Sequence, residues 1–236
     1  MSIDMILLVG NIKGGVGKSA LACNIAAVLA MADPDGGVLL IDGDKQGSAS
    51  DFTQWRADTK GETGYTCVRA QGMEVVTQVK TMRGKFRHII IDAGGQDNPS
   101  LRAGLIAADK VLIPVPPRSA ELWALAGMVD LMNEAKLNNP DLEALAVINF
   151  GVSDSSSDNE DTADAIREDH PDLRLLDKVI INRKVWSSAF GQGLSILEYR
   201  PRNMEAIAEF LDVLAGLAYI DDDDMKVIYN GRTAKA

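Results

Sequence analysis

Short, unbroken apolar runs alternate along this chain with longer stretches in which apolar residues return every three or four positions. Runs of the first kind, at residues 5–10, 37–42, 88–92, 110–114, 145–150 and 175–181, are rich in Ile, Leu and Val. They predict strands buried on both faces, as in a parallel sheet covered by helices. A weaker run at 65–70 predicts one more strand. The second kind predicts helices over 18–31, 48–59, 74–83, 100–108, 119–137, 161–169, 184–191 and 203–219. The alternation specifies the α/β class: a doubly wound, mostly parallel sheet flanked by helices, whose ligands collect at the carboxyl ends of the strands. Residues 153–161 read as a polar, acidic loop. Residues 1–220 read as a single domain, and 221–236, opened by four consecutive aspartates, as an acidic tail expected to be disordered.

Composition narrows the class without naming a function. With 236 residues, 46% of them hydrophobic, the chain can bury one large α/β core. Its two cysteines, Cys23 and Cys67, lack metal-ligand spacing and form no disulfide framework, so they read as packing residues. No apolar run approaches the roughly 18 residues that span a bilayer, and Asp4 and Lys13 confine the first apolar run to strand length, so no leader is expected. The expected location is the cytoplasm. A net charge of −10 argues against a uniformly basic nucleic-acid binder but leaves local basic patches open.

The first predicted strand leads into Lys13-Gly14-Gly15-Val16-Gly17-Lys18-Ser19-Ala20, and a helix follows. This is a phosphate-binding loop, with Ile12 where G-x-x-x-x-G-K-[ST] has its first glycine. Its backbone N–H groups and the helix N-terminus suit a nucleoside triphosphate. Lys18 is placed to reach the β- and γ-phosphates, and the Ser19 hydroxyl to ligate Mg²⁺. A second lysine, Lys13, has no evident target within its own loop. It is better placed to point outward, at a nucleotide held by a second copy of the chain, where it adds positive charge to the transition state.

Other strand exits supply acids and amides. Asp42-Gly43-Asp44-Lys45-Gln46-Gly47-Ser48 delivers two carboxylates to the crevice. Ile89-Ile90-Ile91-Asp92 reads as the strand whose terminal acid meets Mg²⁺, directly or through water. Gly94 and Gly95 permit a close approach to the γ-phosphate; Asp97 reads as a helix cap. Asn149 and Asn182 are candidates either for reading an adenine edge or for turning the chain. Trp123 reads as core.

The pattern K-G-G-x-G-K-[ST] resembles the deviant Walker A box of the ParA/MinD family of P-loop NTPases. The resemblance extends over roughly residues 3–217. Asp42 to Ser48 is similar to the family's D-x-D-P-Q-G-S box, with Lys45 in place of proline. Residues 111–125 are similar to its I-P-V-x-P-S segment, and 182–198 to the C-terminal region of small plasmid-partition ATPases. It implies that Asp44 positions or deprotonates the attacking water, Asp44 as a helix N-terminal acid being the other reading, and that Asp42 helps to hold the Mg²⁺ shell. It implies an ATPase, using ATP and Mg²⁺, that forms an ATP-dependent homodimer with Lys13 crossing the interface. The dimer would bind non-specific DNA on the nucleoid, and a ParB-like adaptor or centromere-binding protein would stimulate slow hydrolysis. Arg183, Lys184, Arg200 and Arg202 are the candidate DNA contacts; the other reading has the arginines solvated or paired with Glu198 and Glu205. The acids of the tail do not make a MinD-type membrane helix, and the cysteines are not placed for an iron–sulfur cluster. A positioner of protein cargo, such as carboxysomes or chemoreceptor clusters, and a metabolic ligase on the same fold are the alternative functions.

Overall fold

The computed structural model describes residues 5–33, 37–117, 119–153 and 157–218, with only the helical backbone of 119–124. The expected tail at 221–236 and the Trp123 side chain lie outside the described residues. Strands β1 (Met5–Val9), β2 (Val38–Asp42), β3 (Thr66–Arg69), β4 (His88–Asp92), β5 (Lys110–Val115), β6 (Glu143–Gly151) and β7 (Arg174–Ile181) alternate with helices α1 (Lys18–Ala32), α2 (Ser48–Lys60), α3 (Glu74–Met82), α4 (Pro99–Ala107), α5 (Ser119–Lys136) and α6 (Asp158–Asp169). Two helices, α7 (Lys184–Phe190) and α8 (Met204–Gly216), follow the last strand. The strands form one sheet in the order β3-β2-β4-β1-β5-β6-β7, and every pairing is parallel.

Alternate strand residues face opposite layers of helix, which is why the runs are apolar without interruption. In β1, Leu7 and Val9 join the core beneath α1, α2 and α8, while Ile6 and Leu8 join the core beneath α3, α4 and α5. The chain winds outward from β1 to β2 and β3, returns through β4, and crosses to β5 on the other side of β1. That reversal opens a crevice at the carboxyl end of β1. Register then levels the chemistry: Val9 pairs with Asp92, and Asp92 with Asp42, so three strand exits lie side by side.

Two boundaries differ from expectation. Helix α6 begins at Asp158, inside the stretch that reads as loop, because Asp158, Glu160 and Asp161 fill its first turn. Acids there are favoured by the helix dipole. The cap of α4 is Asn98 and not Asp97: the Asn98 side chain accepts from the N–H groups of Ser100 and Leu101 at 2.9 and 3.0 Å. Asp97 instead accepts from Nε and Nη2 of Arg102, at 2.6 and 2.7 Å.

Candidate nucleotide site

Three strand exits hold the loop between β1 and α1. From its start, the buried Asn11 donates to the Pro114 carbonyl at the end of β5 (2.9 Å) and accepts from the Lys13 N–H (2.9 Å). From β4, the Gln96 N–H donates to the Ile12 carbonyl at 2.5 Å. From β6, the Asn149 amide donates to the Val16 carbonyl at 2.7 Å. Gly17 then turns into the helix with φ 90°, in the left-handed region. A Cβ there would lie 2.4 Å from the Asn149 amide nitrogen, so no other residue fits. Asn11 went unnoticed as a site residue, since a buried loop brace and an exposed turn asparagine look the same in a sequence.

Asn149 therefore supports the phosphate loop and does not present its amide to an adenine edge: it is 3% exposed and its N–H is engaged. Asn182 is exposed at the end of β7 and does not border the cleft beside the loop.

The cleft encloses about 930 Å³ between the phosphate loop, the β2–α2 loop and the β4–α4 loop. Lys18, 6% exposed, folds back over its loop and donates to the Lys13 carbonyl at 2.7 Å. Burial lowers its pKa, and the charges of Asp92 and Asp44 oppose that. Lys13, in the same loop, is exposed. Asp44, half-buried on the cleft wall, accepts from the Gln46 N–H at 3.0 Å. It braces the turn before α2, whose first-turn acid is Asp51, while its carboxylate borders the cleft. Its side chain also packs on the β4–α4 loop, where a Cβ on Gly94 would meet it at 3.0 Å. Gly95 is pressed as closely on the phosphate loop, its would-be Cβ lying 3.0 Å from the Cα of Gly14. The two glycines thus let the β4 exit lie against both the phosphate loop and Asp44.

Asp42 and Asp92 are neighbours in register and 0% exposed, yet their environments differ. Asp42 accepts from the N–H of Asp44 (3.2 Å), the N–H of Ser50 (2.9 Å) and the Ser50 hydroxyl (2.5 Å). These bonds brace the β2–α2 loop on Asp42, so its engagement differs from that of Asp92. Neither oxygen of Asp92 makes a well-formed hydrogen bond, although the Ser19 hydroxyl lies beside it. Burial, with the charges of Asp42 and Asp44, raises its pKa to about 7 against the Ser19 hydroxyl and Lys18. A buried carboxylate left without a well-formed hydrogen bond fits a cation. Among the described residues no group of three His, Cys, Asp or Glu could hold a metal, so Mg²⁺ here would rest on Ser19 and Asp92 together with phosphate oxygens. Bound there, it would neutralise phosphate charge.

The C-terminal cations are differently employed from one another. Arg183 is paired with Glu209 (2.6 Å) and Glu205 (3.1 Å). Arg200 donates to the carbonyls of Leu197, Glu198 and Tyr199 at 3.0–3.1 Å. Arg183 is thus held by α8, which weighs against its place among the DNA candidates, whereas Arg200 is exposed and engages only its Nη1. Lys184 and Arg202 are exposed. Glu198 takes neither arginine; it binds Arg56 at 2.6 and 2.9 Å, and Lys60.

Comparison with known proteins agrees with this geometry. The carboxysome distribution protein A of Halothiobacillus neapolitanus is 26% identical over 209 residues, covering 88% of this chain and 94% of that protein. The chromosome partitioning protein ParA of Caulobacter vibrioides is 26% identical over 237 residues, covering 82% and 86%. Among solved structures, an ATP complex of McdA from Cyanothece superposes with a TM-score of 0.76 at 16% identity, covering 94% of this chain and 99% of that one. Residues 7–196 match the family described as CbiA, the CobQ/CobB/MinD/ParA nucleotide binding domain, and the chain belongs to that family.

Proposed function

We propose that the protein is a partition ATPase that hydrolyses ATP to ADP and phosphate, forms a sandwich dimer on ATP, and binds DNA without sequence preference. The observation that carries this reading is the division of labour between two lysines of one loop. Lys18 is buried and donates to the Lys13 carbonyl, while the Lys13 side chain is exposed. Lys13 reaches the partner's nucleotide, and Asp44 orients the attacking water from the cleft wall. Mg²⁺ is held by Ser19 and Asp92. A ParB-like adaptor or centromere-binding protein stimulates hydrolysis, and the dimer is associated with the nucleoid in the cytoplasm. No described helix is long and apolar enough to cross a membrane.

The DNA face rests on the exposed Lys184, Arg200 and Arg202, which two subunits double, since Arg183 is paired with Glu205 and Glu209. Each phosphate contact adds about one unit to the salt slope. Retention on non-specific duplex DNA should therefore require ATP and fall steeply with salt. Combined charge reversal, Lys184→Glu with Arg202→Glu, should abolish retention and spare ATP hydrolysis. A parent that shows no DNA retention with ATP at low salt refutes the partition reading. A second reading, positioning of a protein cargo, is favoured by the carboxysome distribution relatives; it shares the ATP-dependent dimer and differs in the adaptor.

A further inference from the structure

The loop that leaves β4 is drawn tight around one side chain. The Asn98 amide shares its N–H groups among the carbonyls of Gly94, Gly95 and Gln96, at 3.1–3.2 Å, while its oxygen caps α4. Within that loop Gln96 has a φ of 71°, in the left-handed region that few residues other than glycine and asparagine adopt. The cause is contact with the phosphate loop: the Gln96 N–H donates to the Ile12 carbonyl at 2.5 Å, and Gly95 lies against Gly14. Backbone held in a sparsely populated region at the wall of a cleft points to a side chain with a task there.

What the bend delivers is an uncommitted amide. Every hydrogen bond of Gln96 is made by its backbone; among the described residues its side chain has no partner, and it is exposed on the cleft wall. Gln46 and Gln71 border the same cleft, but neither has a positive φ and neither is bonded to the phosphate loop. Lys18 marks which end of the cleft this is. Its Nζ donates to the Lys13 carbonyl at 2.7 Å, so the cation that meets the terminal phosphates lies at the start of the loop, where Ile12 holds Gln96. Asp44 stands at the same end: a Cβ on Gly94, two residues before Gln96, would lie 3.0 Å from its Oδ1.

We infer that the Gln96 amide, together with Asp44, holds the water that attacks the γ-phosphorus. This rests on the ATPase reading given above. A carboxylate only accepts hydrogen bonds, whereas an amide both accepts and donates. Gln96 Oε1 takes one hydrogen of the water while Nε2–H donates to a γ-phosphate oxygen, which fixes the line of attack. In the step, the water oxygen bonds to the γ-phosphorus as the bond from that phosphorus to the β–γ bridging oxygen breaks, and ADP leaves with the electron pair. One proton of the water passes to Asp44 and from there to the phosphate product. Gln96 orients the water and exchanges no proton.

Glycine takes a φ of 71° freely and asparagine readily. Gln96→Gly and Gln96→Asn therefore keep the loop while removing the amide or drawing it back by one methylene. Single-turnover hydrolysis of ATP with Mg²⁺, followed as released phosphate, should fall by about 10- to 10³-fold in both. Affinity for a non-hydrolysable ATP analogue, read by calorimetry, and the dimer that the analogue induces, read by sedimentation, should match the parent. Hydrolysis at the parent rate in either variant overturns the inference. So does a loss of hydrolysis matched by an equal loss of analogue affinity or by loss of the dimer, and in each of these cases the nucleotide site stands. A parent that binds the analogue and hydrolyses no ATP overturns the ATPase reading and this inference with it. A parent that binds no analogue overturns the nucleotide reading as well.

Discussion

At the scale of single residues, the site is built from pairs of like side chains given unlike tasks. Asp42 and Asp92 stand level on neighbouring strands, but one is hydrogen-bonded by its own loop and the other makes no well-formed hydrogen bond. Lys18 and Asp44 divide binding from chemistry. Lys18→Ala removes the main counter-charge to the phosphates and should weaken nucleotide binding by about 2 kcal/mol or more, read by titration with a non-hydrolysable analogue. Asp44→Ala should keep ATP affinity and lower stimulated hydrolysis by about 10²- to 10⁴-fold. Hydrolysis at the parent rate with activator present would confine Asp44 to its turn with Gln46. The loop glycines and lysines were legible in the sequence because phosphate binding demands both residue types at fixed spacing. The tasks of Asn11 and Asn149 were not, because an amide's partner is set by which strand exits meet, and that is a property of the sheet order.

At the scale of elements, α1 and α2 leave the two nucleotide loops and are fastened to one turn near the C-terminus. Asn24 of α1 accepts from the Ile196 N–H at 2.8 Å. Arg56 of α2, buried to 2% exposure, donates to the Gly193 carbonyl and to both oxygens of Glu198. Burial alone would raise the pKa of Glu198; Arg56, Lys60 and the Ser195 N–H overcome it and bring it to about 2, below the ordinary 4.5. A carboxylate with a depressed pKa stabilises the fold fully above about pH 4.5, and the contribution is lost as pH falls toward 2. Arg56→Ala should cost about 3 kcal/mol at neutral pH, since it leaves a largely buried carboxylate unpaired. Glu198→Gln should flatten the fall in stability between pH 5 and about 3 in urea unfolding; curves parallel to the parent would deny the pair that role. Asn98→Ala, by removing the cap of α4, should cost about 1 kcal/mol in the same assay. The family resemblance covered residues 182–198 but gave no sign of their partner, because Arg56 reaches Glu198 across more than a hundred residues and an arginine in a polar helix reads as exposed.

At the scale of the whole molecule, continuous apolar runs were enough to specify a sheet with helices on both faces, since only burial on both sides tolerates them. Strand order and the pairing of cations were not legible from those runs. Arg183 looks in sequence like Lys184, yet it lies against Glu209 and Glu205 of α8, and only the packing of α8 beside β7 brings those acids to it. A chain of net charge −10 must gather cations on one face to hold a phosphate backbone, so a face doubled by dimerisation matters more to it than to a basic protein. The central claim is accordingly that ATP assembles two copies through Lys13. Sedimentation velocity with Mg²⁺ and a non-hydrolysable ATP analogue tests it most directly. The parent should sediment as a dimer with the analogue and as a monomer with ADP, and Lys13→Ala should bind the analogue yet remain monomeric. A parent that stays monomeric with saturating analogue, or a Lys13→Ala variant that dimerises as the parent does, would contradict the account.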